Sequence, residues 1–168
     1  MSYSAVLALG SNLGDREETV RAGIRGIDAL PGVSVTAASG LVETPALKPE
    51  GVDTDAPAYL NAVALVTTTL EPQELLRALH TVEAAHGRVR DVRWGDRTLD
   101  IDIIAIDDLA IDSPGLTVPH PRAFERAFVL APWLQVDTDA ALPGRGRADA
   151  LLAETGETPS EYPAEPLL

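Results

Sequence analysis

Arg93-Trp94-Gly95-Asp96-Arg97-Thr98-Leu99-Asp100-Ile101-Asp102-Ile103-Ile104 is the stretch on which the reading of this chain turns. From Leu99 onward it reads as a β-strand. Side chains alternate along a strand, so Asp100 and Asp102 share one face while Ile101 and Ile103 point into a core. With a rise of about 3.3 Å per residue the two carboxylates stand roughly 6–7 Å apart. That spacing lets them share a pair of hard cations. Arginines just upstream suit a polyphosphate that such cations would bring, because the planar guanidinium binds phosphate oxygens two at a time. A strand with a polar face and a few surface ion pairs is the plainer alternative.

Working outward, residues 4–9 (Ser-Ala-Val-Leu-Ala-Leu) form a buried strand ending at Gly10. Asp15 is positioned to cap a helix whose apolar stripe is Val20, Ile24, Ile27 and Leu30, with Pro31-Gly32 as the stop. Residues 33–42 read as a second strand, and 45–57, with its prolines and acids, as a long loop. A third strand over 59–70 precedes a helix that starts at Glu71-Pro72, carries Leu75, Leu76, Leu79 and Val82, and ends at Gly87. An arginine-rich loop leads to the fourth strand, 99–106. Beyond it come a turn at Asp107-Asp108, a short return through Ala110-Ile111, a short strand at 116–118, a helical turn near 121–127 and an apolar run over 128–134.

Strand, helix, strand, strand, helix, strand is the ferredoxin-like split βαββαβ order. The expected fold is α+β: an antiparallel sheet with helices on one face, the other face free for a site, and a C-terminal appendix. One domain over 1–168 is expected, with the Gly-, Pro- and Glu-rich tail from about 144 loosely packed.

Charge and composition exclude several classes. The net charge of −13 opposes nucleic acid and anionic membranes as partners. Yet Arg88, Arg90, Arg93 and Arg97 cluster, and Arg122 and Arg126 follow; this suits a small anion, or else simple pairing with the many acids. The absence of cysteine rules out disulfides, thiol catalysis and zinc–thiolate sites and agrees with a cytoplasmic location. No apolar run approaches the ~20 residues of a membrane helix, and Met1-Ser2-Tyr3-Ser4 lacks the positive start of a secretory leader. The 10–14 turn lacks the Gly-Lys-Ser/Thr ending of a phosphate P-loop.

From Val6 to Leu134 the chain resembles the 6-hydroxymethyl-7,8-dihydropterin pyrophosphokinases. The resemblance rests on Ala8-Leu9-Gly10-Ser11-Asn12-Leu13-Gly14-Asp15, Glu43-Thr44-Pro45, Tyr59-Leu60-Asn61-Ala62, Gly87-Arg88-Val89-Arg90, the 93–102 stretch and Leu116-Thr117-Val118-Pro119-His120-Pro121-Arg122, in that order. It implies a ferredoxin-like fold and transfer of pyrophosphate from ATP to the hydroxymethyl oxygen of a reduced pterin, releasing AMP in a step of folate biosynthesis. It also implies two Mg²⁺ ions on Asp100 and Asp102. Arg88 and Arg97 would contact ATP phosphates, with Arg90 and Arg93 joining from a loop that moves over the site. His120 would touch the nucleotide phosphates, Glu83 and Thr117 would line the nucleotide pocket, and Arg126 would contact ATP as well. The pterin would stack between Tyr59 and Phe128, with Asn61 reading its edge. Thr44, Pro45 and Leu47 would line the slot, Gly10 would allow close approach of the backbone, and Trp94 would cover the site.

Read without the resemblance, these residues are ordinary. His120 is a structural or surface histidine, Glu83 a polar helix residue, Phe128 core packing, Asn61 a strand-end residue, and Arg90 and Arg93 solvated loop charge. The chain also departs from the family pattern: Gly115 precedes Leu116 and Pro121 follows His120 where some members carry an arginine and a tyrosine. Nucleotide contacts from those two positions are lost. Competing readings are a metabolite-sensing module, which needs neither paired strand aspartates nor an arginine cluster, an RNA-binding sheet, which the charge opposes, and a kinase releasing ADP. The expected partners are the two small-molecule substrates, with the protein a monomer.

Overall fold

Alternation along β1 (Tyr3–Ser11) sends Ala5, Leu7 and Leu9 into one apolar layer and Val6 and Ala8 to the opposite side of the sheet. A computed structural model describes residues 2–12, 14–44, 46–48, 51–53, 58–86 and 99–168. After β1 come α1 (Arg16–Asp28), β2 (Val33–Ala38), β3 (Leu41–Thr44), β4 (Ala46–Lys48), β5 (Gly51–Asp53), β6 (Tyr59–Thr68), α2 (Pro72–Ala85) and β7 (Asp100–Ile106). There follow β8 (Ile111–Ser113), β9 (Leu116–Val118), a 3₁₀ turn (Ala123–Glu125), α3 (Ala127–Val136), β10 (Ala141–Leu142), β11 (Gly146–Arg147), α4 (Ala148–Thr155) and β12 (Ser160–Tyr162).

The central sheet is antiparallel in the order β12-β3-β6-β1-β7, with β2 paired to the far half of β6. This is the expected βαββαβ arrangement. As expected, Asp15 caps α1, its Oδ1 accepting from the Glu18 N–H at 3.2 Å. Val20, Ile24 and Ile27 of α1 and Leu75, Leu79 and Val82 of α2 are buried against Leu7, Leu9, Ile101 and Ile103. Leu30 lies just past the end of α1 and, like Leu76, packs at the margin of this layer.

Four expectations need correction. Residues 33–42 are two strands rather than one. At the break, the Ser39 N–H still donates to the Val63 carbonyl at 2.8 Å, but the Ser39 hydroxyl accepts from the Val63 N–H at 2.9 Å and the Gly40 N–H donates to Gln135 at 2.8 Å, so side chains take over part of the ladder. Part of the 45–57 loop is the β4–β5 hairpin. The return through 110–111 is half of a second hairpin, β8–β9. The tail beyond 144 is not loose: it forms α4, and β12 pairs with β3 as an edge strand. Leu167, 6% exposed, joins the core.

The appendix also changes the picture of the sheet's second face. The two helices of the βαββαβ unit share one face, as expected. The other face is not left bare, because Val129, Leu130 and Trp133 of α3 and Leu151 of α4 pack with Val63 and Ile104 of the sheet. α3 is apolar on all sides because it lies between the sheet and α4.

Candidate active site

Strand register builds the site. Gly10 of β1 pairs with Asn61 of β6 on one side and with Asp100 of β7 on the other, and Asn61 pairs with Val42 of β3. Directly opposed residues of an antiparallel ladder share a face. Val42, Asn61, Gly10 and Asp100 therefore form a row across four strands, on the side of the sheet that carries α3. Ala8 and Asp102 pair in the next row toward α3, and Thr44 pairs with Tyr59 in the next row the other way.

At the amide end of the row, side chains fold over the glycine. A Cβ placed on Gly10 would lie 2.6 Å from Asn61 Oδ1 and 3.6 Å from Tyr59 Cδ1. Asn61 is 8% exposed and its Nδ2 donates to Thr44 Oγ1 at 3.1 Å. With Nδ2 committed to Thr44, Oδ1 is left lying over the glycine as an acceptor. Gly10, Thr44, Tyr59 and Asn61, singled out separately in the sequence, are thus one cluster.

At the acidic end, Asp100 and Asp102 are half-buried, and Arg126 Nη1 stands 3.8 Å from Asp102 Oδ2. The Arg126 guanidinium carbon lies 5.7 Å from the centroid of Phe128, in the first turn of α3. Between exposed groups an ion pair of this length contributes at most about 1 kcal/mol; its interest is that it gathers Asp102, Arg126 and Phe128 in one place.

His120 follows the cis peptide Val118–Pro119 and is tied to β7, its N–H donating to the Ile104 carbonyl at 2.9 Å. Its Nδ1 accepts from the Arg122 N–H at 3.1 Å, so the ring proton sits on Nε2. Burial is the main reason its pKa falls to about 4; Arg126 and Arg122 add to the shift and Asp100 opposes it. His120 is consequently a neutral hydrogen-bond donor at physiological pH.

Two expected residues stand apart. Glu83, expected to line the nucleotide pocket, is 2% exposed, and its carboxylate accepts from the Ile101 N–H at 2.9 Å. It anchors the start of β7 from the α2 side, directly between the two aspartates in sequence. Thr117 is turned to solvent on the β8–β9 hairpin. Pro45, Arg88, Arg90, Arg93, Trp94 and Arg97 lie outside the described residues, and of Leu47 only the backbone, in β4, is described. Sequence reasoning passed over Arg16. The signal was available: a cation as the first residue of a helix opposes the helix dipole, so something else must hold it there.

Fold and site define a ferredoxin-like α+β domain with a candidate small-molecule site on its sheet. A family model for 7,8-dihydro-6-hydroxymethylpterin-pyrophosphokinase matches residues 6–138, and the chain belongs to that family. It is 41% identical over 153 residues to the 2-amino-4-hydroxy-6-hydroxymethyldihydropteridine pyrophosphokinase of Pseudomonas aeruginosa, covering 91% of this chain and 92% of that protein. The enzyme of the same name from Bacillus subtilis is 41% identical over 136 residues, covering 81% of this chain and 79% of that protein. In three dimensions the chain resembles the Plasmodium falciparum HPPK-DHPS protein crystallised with pteroate, with a TM-score of 0.69 at 12% identity. That match covers 92% of this chain but 42% of the longer Plasmodium chain, and it bears on the fold alone.

Proposed function

We propose that the row from Tyr59 and Asn61 through Gly10 to Asp100 and Asp102 is the surface on which a reduced pterin meets the phosphates of ATP. The chain is a pyrophosphokinase, transferring a pyrophosphoryl group to 6-hydroxymethyl-7,8-dihydropterin in folate biosynthesis. ATP is the co-substrate. The observation that carries the residue assignment is the clustering of Asn61 and Tyr59 over Gly10, one strand away from Asp100.

The pterin end needs a flat apolar face and a fixed amide. Tyr59 supplies one ring face, Phe128 supplies a second from beside Arg126 at the acidic end, and Asn61 Oδ1, fixed by Thr44, accepts a ring N–H. Gly10 lets the ligand approach the backbone, and the family resemblance assigns Pro45, Leu47 and Trp94 to the same ligand. The family resemblance assigns Arg88, Arg90, Arg93 and Arg97 to the phosphate oxygens of ATP, a role that the guanidinium's paired donors suit. Arg126 and the Nε2–H of His120 add a cation and a neutral donor. The hydroxymethyl oxygen bonds to the β-phosphorus as the bond between that phosphorus and AMP's bridging oxygen breaks. Asp100 accepts the hydroxyl proton.

Asp100 and Asp102 also fit as magnesium ligands. They are hard oxygen donors on one face of a strand and half-open, and Mg²⁺ takes one or two protein carboxylates with phosphate oxygens and water completing its shell. Two ions held there would offset phosphate charge as the β-phosphorus is attacked. In this reading the protein acts as a cytoplasmic monomer, and the absence of cysteine agrees with the cytoplasm. No helix among the described residues is long and apolar enough to cross a membrane.

Calorimetric titration tests the division of labour. Asn61→Ala should abolish pterin binding and spare binding of a non-hydrolysable ATP analogue. Asp102→Ala should weaken the magnesium-dependent binding of the analogue. The reading fails if Asn61→Ala binds pterin as the wild type does.

A further inference from the structure

We propose that Arg16 is a positioning residue for the pterin slot, fastening together the two strand ends that carry Thr44 and Tyr59, with the C-terminal strand holding it in place. The proposal rests on the assignment of the slot made above. Arg16 Nη1 donates to Glu43 Oε2 at 2.8 Å and to the Ala58 carbonyl at 2.7 Å. Glu43 immediately precedes Thr44, Ala58 immediately precedes Tyr59, and Thr44 and Tyr59 are directly paired. One guanidinium thus grips both segments one residue away from the slot.

It does so without entering the slot. Alternation turns Glu43 to the sheet face opposite Thr44, so Arg16 acts through the backbone. Its side chain is 22% exposed, shielded enough for a charge-assisted bond to hold its geometry. The C-terminal segment adds a second layer. Tyr162 of β12 lies against the guanidinium, 5.7 Å from ring centroid to Cζ, while Ser160 of the same strand pairs with Glu43. Further along, Arg21 of α1 donates to the Glu165 carbonyl at 3.1 Å and to the Pro166 carbonyl at 2.5 Å, and Leu167 is buried in the core. The tail is thereby stitched to α1 at Arg16 and again at Arg21. α1 itself begins directly after the turn that follows Gly10, so a single residue links three walls of the slot.

The test uses the full chain. Pterin affinity is read by fluorescence titration, affinity for a non-hydrolysable ATP analogue by calorimetry, and folding by thermal melting. Arg16→Gln cannot span both partners and should raise the pterin Kd about tenfold, because small misplacement of binding groups is costly, while the ATP-analogue Kd stays within about twofold. Tyr162→Leu should shift the pterin Kd in the same direction by less, and Arg16→Lys should recover part of the loss by reaching Glu43. Equal weakening of both ligands, or none, overturns the proposal; if Arg16→Gln does not fold, Glu43→Gln and Tyr162→Leu carry the same comparison. Asn61→Ala separates the layers. If it binds pterin normally, the slot assignment itself fails. If it loses pterin while Arg16→Gln binds as the wild type does, only the role of Arg16 fails.

Discussion

Asn61 occupies the space that any side chain at position 10 would need: a Cβ on Gly10 would stand 2.6 Å from Asn61 Oδ1. The glycine is required here by a neighbour, not by backbone conformation. Because Asn61 is held by Thr44, it cannot step aside without losing that hydrogen bond.

Gly10→Ala should therefore fold and yet bind pterin poorly. Displacing Asn61 forfeits a hydrogen bond worth about 1 kcal/mol and misplaces the acceptor, so the pterin Kd should rise about tenfold or more. Fluorescence titration measures this, and a melting temperature within a few degrees of wild type, roughly 2–4 °C per kcal/mol, separates it from unfolding.

The strand carboxylates are expected to govern turnover far more than stability. Both are half-exposed on one face of β7, the face on which phosphates and magnesium are proposed to bind. Asp100→Asn and Asp102→Ala should each lower kcat by about 100-fold or more, in the range of a lost electrostatic contact to a transition state. Melting curves recorded alongside separate a loss of turnover from a loss of fold. A steady-state assay across magnesium concentrations checks both.

His120 gives a pH signature in the metal-free protein. Its folded pKa is lowered to about 4 against 6.5 for the free side chain. Between those values the unfolded chain binds the proton and the folded chain does not, so stability rises with pH from about 4 to 6.5 and this contribution is flat above. His120→Gln should remove that part of the slope in urea melts taken across the window. The ring resonances of His120 should titrate near 4 by NMR.

Glu83→Ala should read as a folding mutation. The Ile101 N–H would lose its acceptor in a buried setting, a loss of about 1–3 kcal/mol. The melting temperature should drop measurably, and the KM for ATP should change less than it does in Arg126→Ala.

Much of this was legible in the sequence because two periodicities carried it. The alternation at Asp100-Ile101-Asp102-Ile103 and the helical spacing of Val20-Ile24-Ile27 each named a face, and the faces found are those. The break at Ser39-Gly40 was not legible, since both halves are β-rich and pair with the same strand; the bonds that mark it, to Val63 and to Gln135, are distant in sequence. Pro132 made a helix over 127–136 hard to foresee, and the nearly uninterrupted apolar run left no periodic signal. The tail's Gly, Pro and Glu content suggested loose packing, but pairing to β3 and the seating of Leu167 are long-range contacts that composition does not encode. The bond from the Ile101 N–H to Glu83 was not legible for a similar reason: it joins α2 to β7 across 18 residues, and helical spacing says nothing of it.

Pyrophosphoryl transfer is proposed to depend on the carboxylates of β7. The most direct test is to identify the nucleotide product when the protein is mixed with ATP, Mg²⁺ and 6-hydroxymethyl-7,8-dihydropterin, with Asp102→Ala alongside. The account predicts AMP and pterin diphosphate in equal amounts, formed only when the pterin is present and nearly abolished in the variant. ADP as the product, or an Asp102→Ala protein that turns over like the wild type, would contradict it.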